Sequence, residues 1–124
     1  MEILHTENAP KAIGPYSQGI KVGNTIYVSG QLPVNPETGE LVNTIEEATA
    51  QSIKNAREIL KQAGADLNNV VKTTVFLKDI NDFAAFNKVY AEAFNGHCPA
   101  RSCFQVAAIP KDALLEIEMI ASLD

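Results

Sequence analysis

Arg101 is the side chain best placed by sequence to bind an anion. It follows Pro99-Ala100 at the start of a stretch, Ala100 to Ala108, that reads as a strand and holds no other charge. A guanidinium fixed on a strand can grip a carboxylate through two parallel hydrogen bonds. The competing use is a structural ion pair with an internal Asp or Glu. Glu116 and Glu118 form the second candidate group. They alternate with apolar residues in Leu114 to Ala121, so both carboxylates lie on one strand face, where they can do acid–base work or orient a water; on pattern alone a solvated sheet face is the commoner use of such glutamates. Whether they meet Arg101 depends on register. Pairing Ala108 with Leu114 puts Arg101 and Glu116 on opposite faces, and a slip or bulge of one residue reverses that.

Five further positions are chemically suggestive. Cys103 shares the strand and face of Arg101, whose charge would favour a thiolate, although no histidine accompanies it and buried free cysteines commonly only pack. Tyr16 follows Gly14-Pro15, where it can lean over a pocket or anchor a loop. Ser29-Gly30-Gln31 ends a strand at a glycine, which lets backbone amides approach a ligand. Asn87 lies within a helical segment and on pattern alone faces solvent. Cys98, before Pro99, carries no assignment.

Other chemistries find little support. The two cysteines, Cys98 and Cys103, form no C-x-x-C, and the two histidines, His5 and His97, lie at opposite ends of the chain, so no metal site is expected. No G-x-G-x-x-G or P-loop surrounds Gly30, which argues against a nucleotide. The chain carries 10 basic against 15 acidic residues, a net charge of −5, with no basic run to displace counterions from phosphates, so no nucleic-acid partner is expected. No apolar run reaches the roughly 18 residues that span a bilayer, and the N-terminus lacks the regions of a signal peptide. Membrane association is not expected, and the cytoplasm is the expected compartment.

The elements that must position these residues follow from periodicity. At 124 residues and 46% hydrophobic, residues 1–124 are expected to form a single domain. Thr25 to Ser29 is β-branched and aromatic, and Gly23-Asn24 predicts a hairpin with Gln18–Val22. Thr44 and Glu47 make a capping-box signature. Apolar and small residues from Ile45 to Ala63 then recur at helical spacing up to Gly64, which predicts a helix over 45–63. Val70 to Leu77 reads as a central strand covered on both faces. Asn81 is the expected cap of a second helix whose stripe is Phe83, Phe86, Tyr90, Ala93 and Phe94, ended by Gly96. The order is ββ-α-β-α-ββ, with a further strand possible at residues 2–5. Two helices cover one sheet face only, an α+β layer. The other face must meet water or another subunit, and the mixed character of the last two strands favours a subunit.

Several of these segments, taken in order, resemble the RidA (YjgF) family: Ala9-Pro10 through Gly14-Pro15-Tyr16-Ser17-Gln18, Val28-Ser29-Gly30-Gln31, Val71 to Leu77, Asn81-Asp82-Phe83, Tyr90, Pro99-Ala100-Arg101-Ser102-Cys103 and Glu116-Ile117-Glu118. The resemblance spans essentially the whole chain. It implies a chorismate-mutase-like fold, a mixed β-sheet with two helices on one face, assembled as a homotrimer with sheets inside and clefts between subunits. It implies an enzyme, a 2-iminobutanoate/2-iminopropanoate deaminase that hydrolyses reactive 2-imino acids to 2-keto acids and ammonia without metal or cofactor. Carried over by position, Arg101 binds the substrate carboxylate and Glu116 orients water, while Tyr16, Ser29, Gly30, Asn87 and Cys103 line the cleft. Arg101 marks the catalytic branch of the family. The alternatives are a ribonuclease or translation inhibitor, a label some members carry, and a trimer that binds small acids without turnover.

Overall fold

Alternating side chains build the sheet, and the way its strands interleave separates the candidate residues. The computed structural model describes residues 1–124. Its strands are β1 (Glu2–Leu4), β2 (Gly19–Val22), β3 (Thr25–Gln31), β4 (Val70–Leu77), β5 (Ala100–Gln105) and β6 (Leu115–Ser122), and its helices are α1 (Ile45–Lys61) and α2 (Phe83–Phe94). They form one six-stranded sheet in the order β1-β2-β3-β6-β4-β5. The β4–β5 pair is parallel, with α2 as the crossover between them; the other pairs are antiparallel.

The two last strands are therefore not a hairpin. β6 inserts between β3 and β4, and β5 lies at the edge. Leu115, Ile117, Met119 and Ala121 on β6 are buried, as are Val70, Thr73, Val75 and Leu77 on β4 and Ile26 and Val28 on β3. Against this face pack Ala48, Ile53, Ala56, Ile59 and Leu60 of α1 and Phe86, Tyr90 and Phe94 of α2. One helical stripe per helix meeting one sheet face is the two-layer α+β solution.

The other face has no cover within the chain. Ile3, Ile20, Tyr27 and Ile120 are successive cross-strand partners there, with Ile3 63% and Tyr27 51% exposed. β4 is an interior strand beside the edge strand β5 rather than central, and only one of its faces is buried within the chain, not both as its composition predicts, its residues alternating between buried and open positions.

Local signals differ from expectation at three points. Thr44 precedes α1, but its side chain makes no capping bond, and the helix ends at Lys61 rather than residue 63; Gly64 does take the left-handed turn conformation, with φ +78°, as C-terminal glycines do. Asn81 is not the cap of α2. Asp79 instead accepts from the Asn81 N–H and starts a single 3₁₀ turn over Ile80–Asp82 that runs into the helix, because an aspartate two residues upstream closes an Asx turn first. The β5 segment stops at Gln105 rather than Ala108, where its pairing with β4 ends at Leu77.

Candidate active site

Arg101 pairs with Thr73 across the parallel β4–β5 ladder, which turns its side chain to the helix-covered face. There Nη1 donates to Asn87 Oδ1 at 2.7 Å. The guanidinium carbon lies 4.9 Å from the centre of the Tyr90 ring, 5.5 Å from Phe83 and 5.7 Å from Phe86, within the range of cation–π attraction. No carboxylate pairs with it: the ion pairs of the chain are His5–Glu7, Arg57–Asp66, Lys61–Glu58 and Lys78–Asp112. A guanidinium has five N–H donors, and one of them binds Asn87. The expected alternative of an internal ion pair is thus not realised. Asn87 is half-buried and accepts from Arg101, rather than simply facing solvent.

Cys103 stands two residues further along the same face, opposite Val75. Burial pushes its thiol pKa up, and the nearby Arg101 offsets this only in part. A thiol held protonated is a poor nucleophile, so its place here is as a wall beside Arg101.

Glu116 and Glu118 occupy the open face, opposite Phe76 and Thr74 on β4. Burial raises the Glu116 pKa, and the neighbouring Glu118 raises it further. Opposite them β3 is irregular: Val28 pairs with Met119 and Gln31 with Ile117, so three steps on β3 face two on β6. This bulge at Ser29–Gly30 bends β3 over the carboxylates, as bulges do beside functional sites. A Cβ at position 30 would lie 2.7 Å from the Glu116 carboxyl carbon, so a side chain fits there only if the Glu116 side chain moves.

Tyr16 and Ser29 line a cavity of about 500 Å³ on the open face, together with Tyr27, Glu118 and Ile120. The loop that carries Tyr16 is tied down by buried Gln18, which accepts from the Thr6 N–H at 2.8 Å and donates to the Thr6 and Pro10 carbonyls. Ser29 Oγ donates to the Ser17 carbonyl at 2.6 Å, so this hydroxyl pins the loop and keeps only acceptor capacity for a ligand.

The sequence-predicted residues therefore fall into two groups. Arg101, Asn87 and Cys103 form one on the helix face. Tyr16, Ser29, Gly30 and Glu116 gather on the open face, near the bulge. The chain does not bring the two groups together. Sequence reasoning missed Thr73, Phe83, Phe86 and Tyr90 as surroundings of Arg101, because the aromatic residues read as a core stripe; the signal was a lone buried threonine on the face that Val75 and Leu77 share. It also left Glu118 without the cavity that it lines. No cluster of three or more His, Cys, Asp or Glu is arranged to hold a metal, and no helix is long and apolar enough to cross a membrane.

Comparison with known proteins gives this geometry a context. The profile of the Endoribonuclease L-PSP family matches residues 6–123. A RutC family protein of Pyrococcus abyssi is 57% identical over 121 residues, covering 97% of this chain and 95% of its own. The mouse 2-iminobutanoate/2-iminopropanoate deaminase is 52% identical over 122 residues, covering 97% and 90%. Among solved structures, Escherichia coli TdcF with bound serine superposes with a TM-score of 0.97 at 44% identity, over the full length of both chains. A profile matched almost end to end, and relatives more than half identical across nearly the whole chain, establish that this protein belongs to the Endoribonuclease L-PSP family, also called YjgF or RidA.

Proposed function

We propose that this protein is an enzyme that hydrolyses reactive 2-imino acids, such as 2-iminobutanoate and 2-iminopropanoate, to 2-keto acids and ammonia. The observation that carries the reading is the Arg101 guanidinium, held by Asn87 and three aromatic rings yet paired with no carboxylate of its own chain. It is a prepared partner for a substrate carboxylate. The mouse relative named for this activity supports the reaction class, and the serine-bound relative supports an amino-acid-sized ligand.

The chemistry needs little beyond placement. The carbon of a C=N bond is electrophilic, so water adds to it directly. Glu116 takes a proton from the attacking water as the C–O bond forms and returns it to nitrogen. The hydroxyl proton of the resulting carbinolamine then passes through Glu116 to the same nitrogen, which leaves as ammonia as the C–N bond breaks and the keto group forms. A carboxylate with a raised pKa suits both proton transfers, and Arg101 contributes by fixing the substrate. Tyr16, Ser29, Gly30, Asn87 and Cys103 line the site in this reading, with no metal or cofactor required.

Arg101 and Glu116 must come from different chains if one substrate touches both, because a single chain puts them on opposite faces. The apolar row Ile3–Ile20–Tyr27–Ile120 offers the surface for that association. A homotrimer with sites between subunits, the assembly that the family resemblance implies, supplies both halves. The test is a coupled assay: threonine dehydratase and threonine generate the imine, semicarbazide traps it, and the protein competes for it. Suppression of the semicarbazone by wild type and not by Arg101→Ala supports the reading, whereas no suppression by wild type overturns it.

The family description favours one rival, an endoribonuclease. The net charge of −5 opposes it, and so do the histidines, since His5 sits exposed beside Glu7 while His97 bonds the Val70 carbonyl at 2.6 Å. Cleavage of RNA that persists through repurification and is lost in Arg101→Ala would favour the rival.

A further inference from the structure

Tyr90 is buried on α2 and Thr73 is fully buried on β4. Their hydroxyl oxygens lie 2.7 Å apart, a short hydrogen bond between neutral groups. Thr73 is also the cross-strand partner of Arg101, and the Tyr90 ring is the closest of the three that surround the guanidinium. A continuous chain of contacts thus runs from the sheet through Thr73 to Tyr90 and from its ring to Arg101, while Asn87, on the same helix, holds Nη1. An arginine on an edge strand has four rotatable side-chain bonds and loses considerable entropy when ordered. A ring locked at one angle reduces the orientations left to the guanidinium before any ligand arrives.

We propose that Tyr90, braced by Thr73, is a positioning residue that sets the orientation of the Arg101 guanidinium and thereby its affinity for a carboxylate. Tyr90 touches no substrate in this arrangement and acts only through Arg101. The inference rests on the reading of Arg101 as the carboxylate clamp. The Tyr90 hydroxyl stays protonated, its pKa raised by burial, so the bond to Thr73 persists across the working pH range.

The test separates positioning from simple packing by using the hydroxyl pair itself. Tyr90→Phe and Thr73→Val each leave one buried hydroxyl without its partner and lower the melting temperature; the double variant removes both hydroxyls and recovers much of that loss, because matched apolar replacement of a buried pair is nearly neutral. Binding of 2-oxobutanoate is measured by calorimetry, with steady-state kinetics beside it. Each single variant is expected to raise Kd and KM about fivefold with kcat little changed, as for a lost ground-state contact. The double variant is expected to stay weak although its stability recovers. Recovery of Kd together with melting temperature, or a wild-type Kd in both single variants, overturns the positioning role while leaving the clamp intact. Arg101→Ala with wild-type affinity for 2-oxobutanoate overturns the clamp reading itself, and the positioning role with it.

Discussion

Arg101 and Glu116 lie on opposite faces of the same sheet. Arg101 is in register with Thr73, and through it with Met119, on the helix-covered face, whereas Glu116 is in register with Phe76 on the open face. The offset is about 10 Å along the strands and about 10 Å across them, from the spacing of residues and strands in a sheet. Side-chain flexibility does not close such a gap through a packed sheet.

Two inactive variants should therefore rescue each other. Mixing Arg101→Ala with Glu116→Gln, after dissociation and reassembly, lets an intact Arg101 from one copy face an intact Glu116 from another. Random assembly of a closed ring restores about a quarter of the sites. Activity of either variant alone should stay at background. No recovery in a mixture proven by mass spectrometry to contain mixed oligomers would mean that one chain supplies both groups.

The Glu116 carboxyl should set the acid limb of the pH profile. Its pKa lies above the ordinary carboxylate value through burial, with Glu118 adding to the shift. As a base it must be deprotonated, so kcat/KM falls as pH drops through this raised value. Glu118→Gln removes the like charge, lowers the Glu116 pKa and moves the limb to lower pH. Stability has the matching sign: a raised folded-state pKa stabilises the fold only while the group is protonated, and that contribution is lost as pH rises through it. Glu116→Gln should accordingly raise the melting temperature more at about pH 8 than at about pH 4, by calorimetry at both.

Gly30 tests the bulge. An added Cβ meets the Glu116 carboxyl group, which is the mobile end of a side chain and can swing aside. Gly30→Ala should therefore change stability by only about 1 kcal/mol yet lower kcat/KM by about tenfold or more through displacement of the base. A large loss of stability would indicate that the backbone, rather than Glu116, has moved.

Cys103 and Arg101 should separate cleanly. The thiol is held protonated by burial, and water attacks the imine without a covalent intermediate. Cys103→Ala should cost less than about tenfold in kcat/KM, whereas Arg101→Ala removes a charge-assisted contact and should cost about a hundredfold or more. Equal losses in the two variants would return Cys103 to the chemistry as a nucleophile.

The alternation in β6, the helical stripe of α1 and the aromatic stripe of α2 are legible in the sequence because each follows from local periodicity, whereas β4 reads as covered on both faces and only the structure shows one of them open. With them come the α+β class and the single helix-covered face. The same holds for Arg101, whose isolation on an otherwise uncharged strand singles it out. What the linear order does not contain is which strands become neighbours. β5 and β6 follow one another across a short turn, which suggests a hairpin, yet β6 pairs with β3 and β4 and leaves β5 at the edge. Burial decides this: β6 alternates cleanly and carries an apolar face worth placing at the sheet centre, while β5 stays largely exposed. That choice puts Arg101 among the aromatic rings of α2, puts Glu116 beside the Ser29–Gly30 bulge, and assigns the two to opposite faces. Strand pairing is a long-range contest over buried area and register, and so only the tertiary structure could decide it.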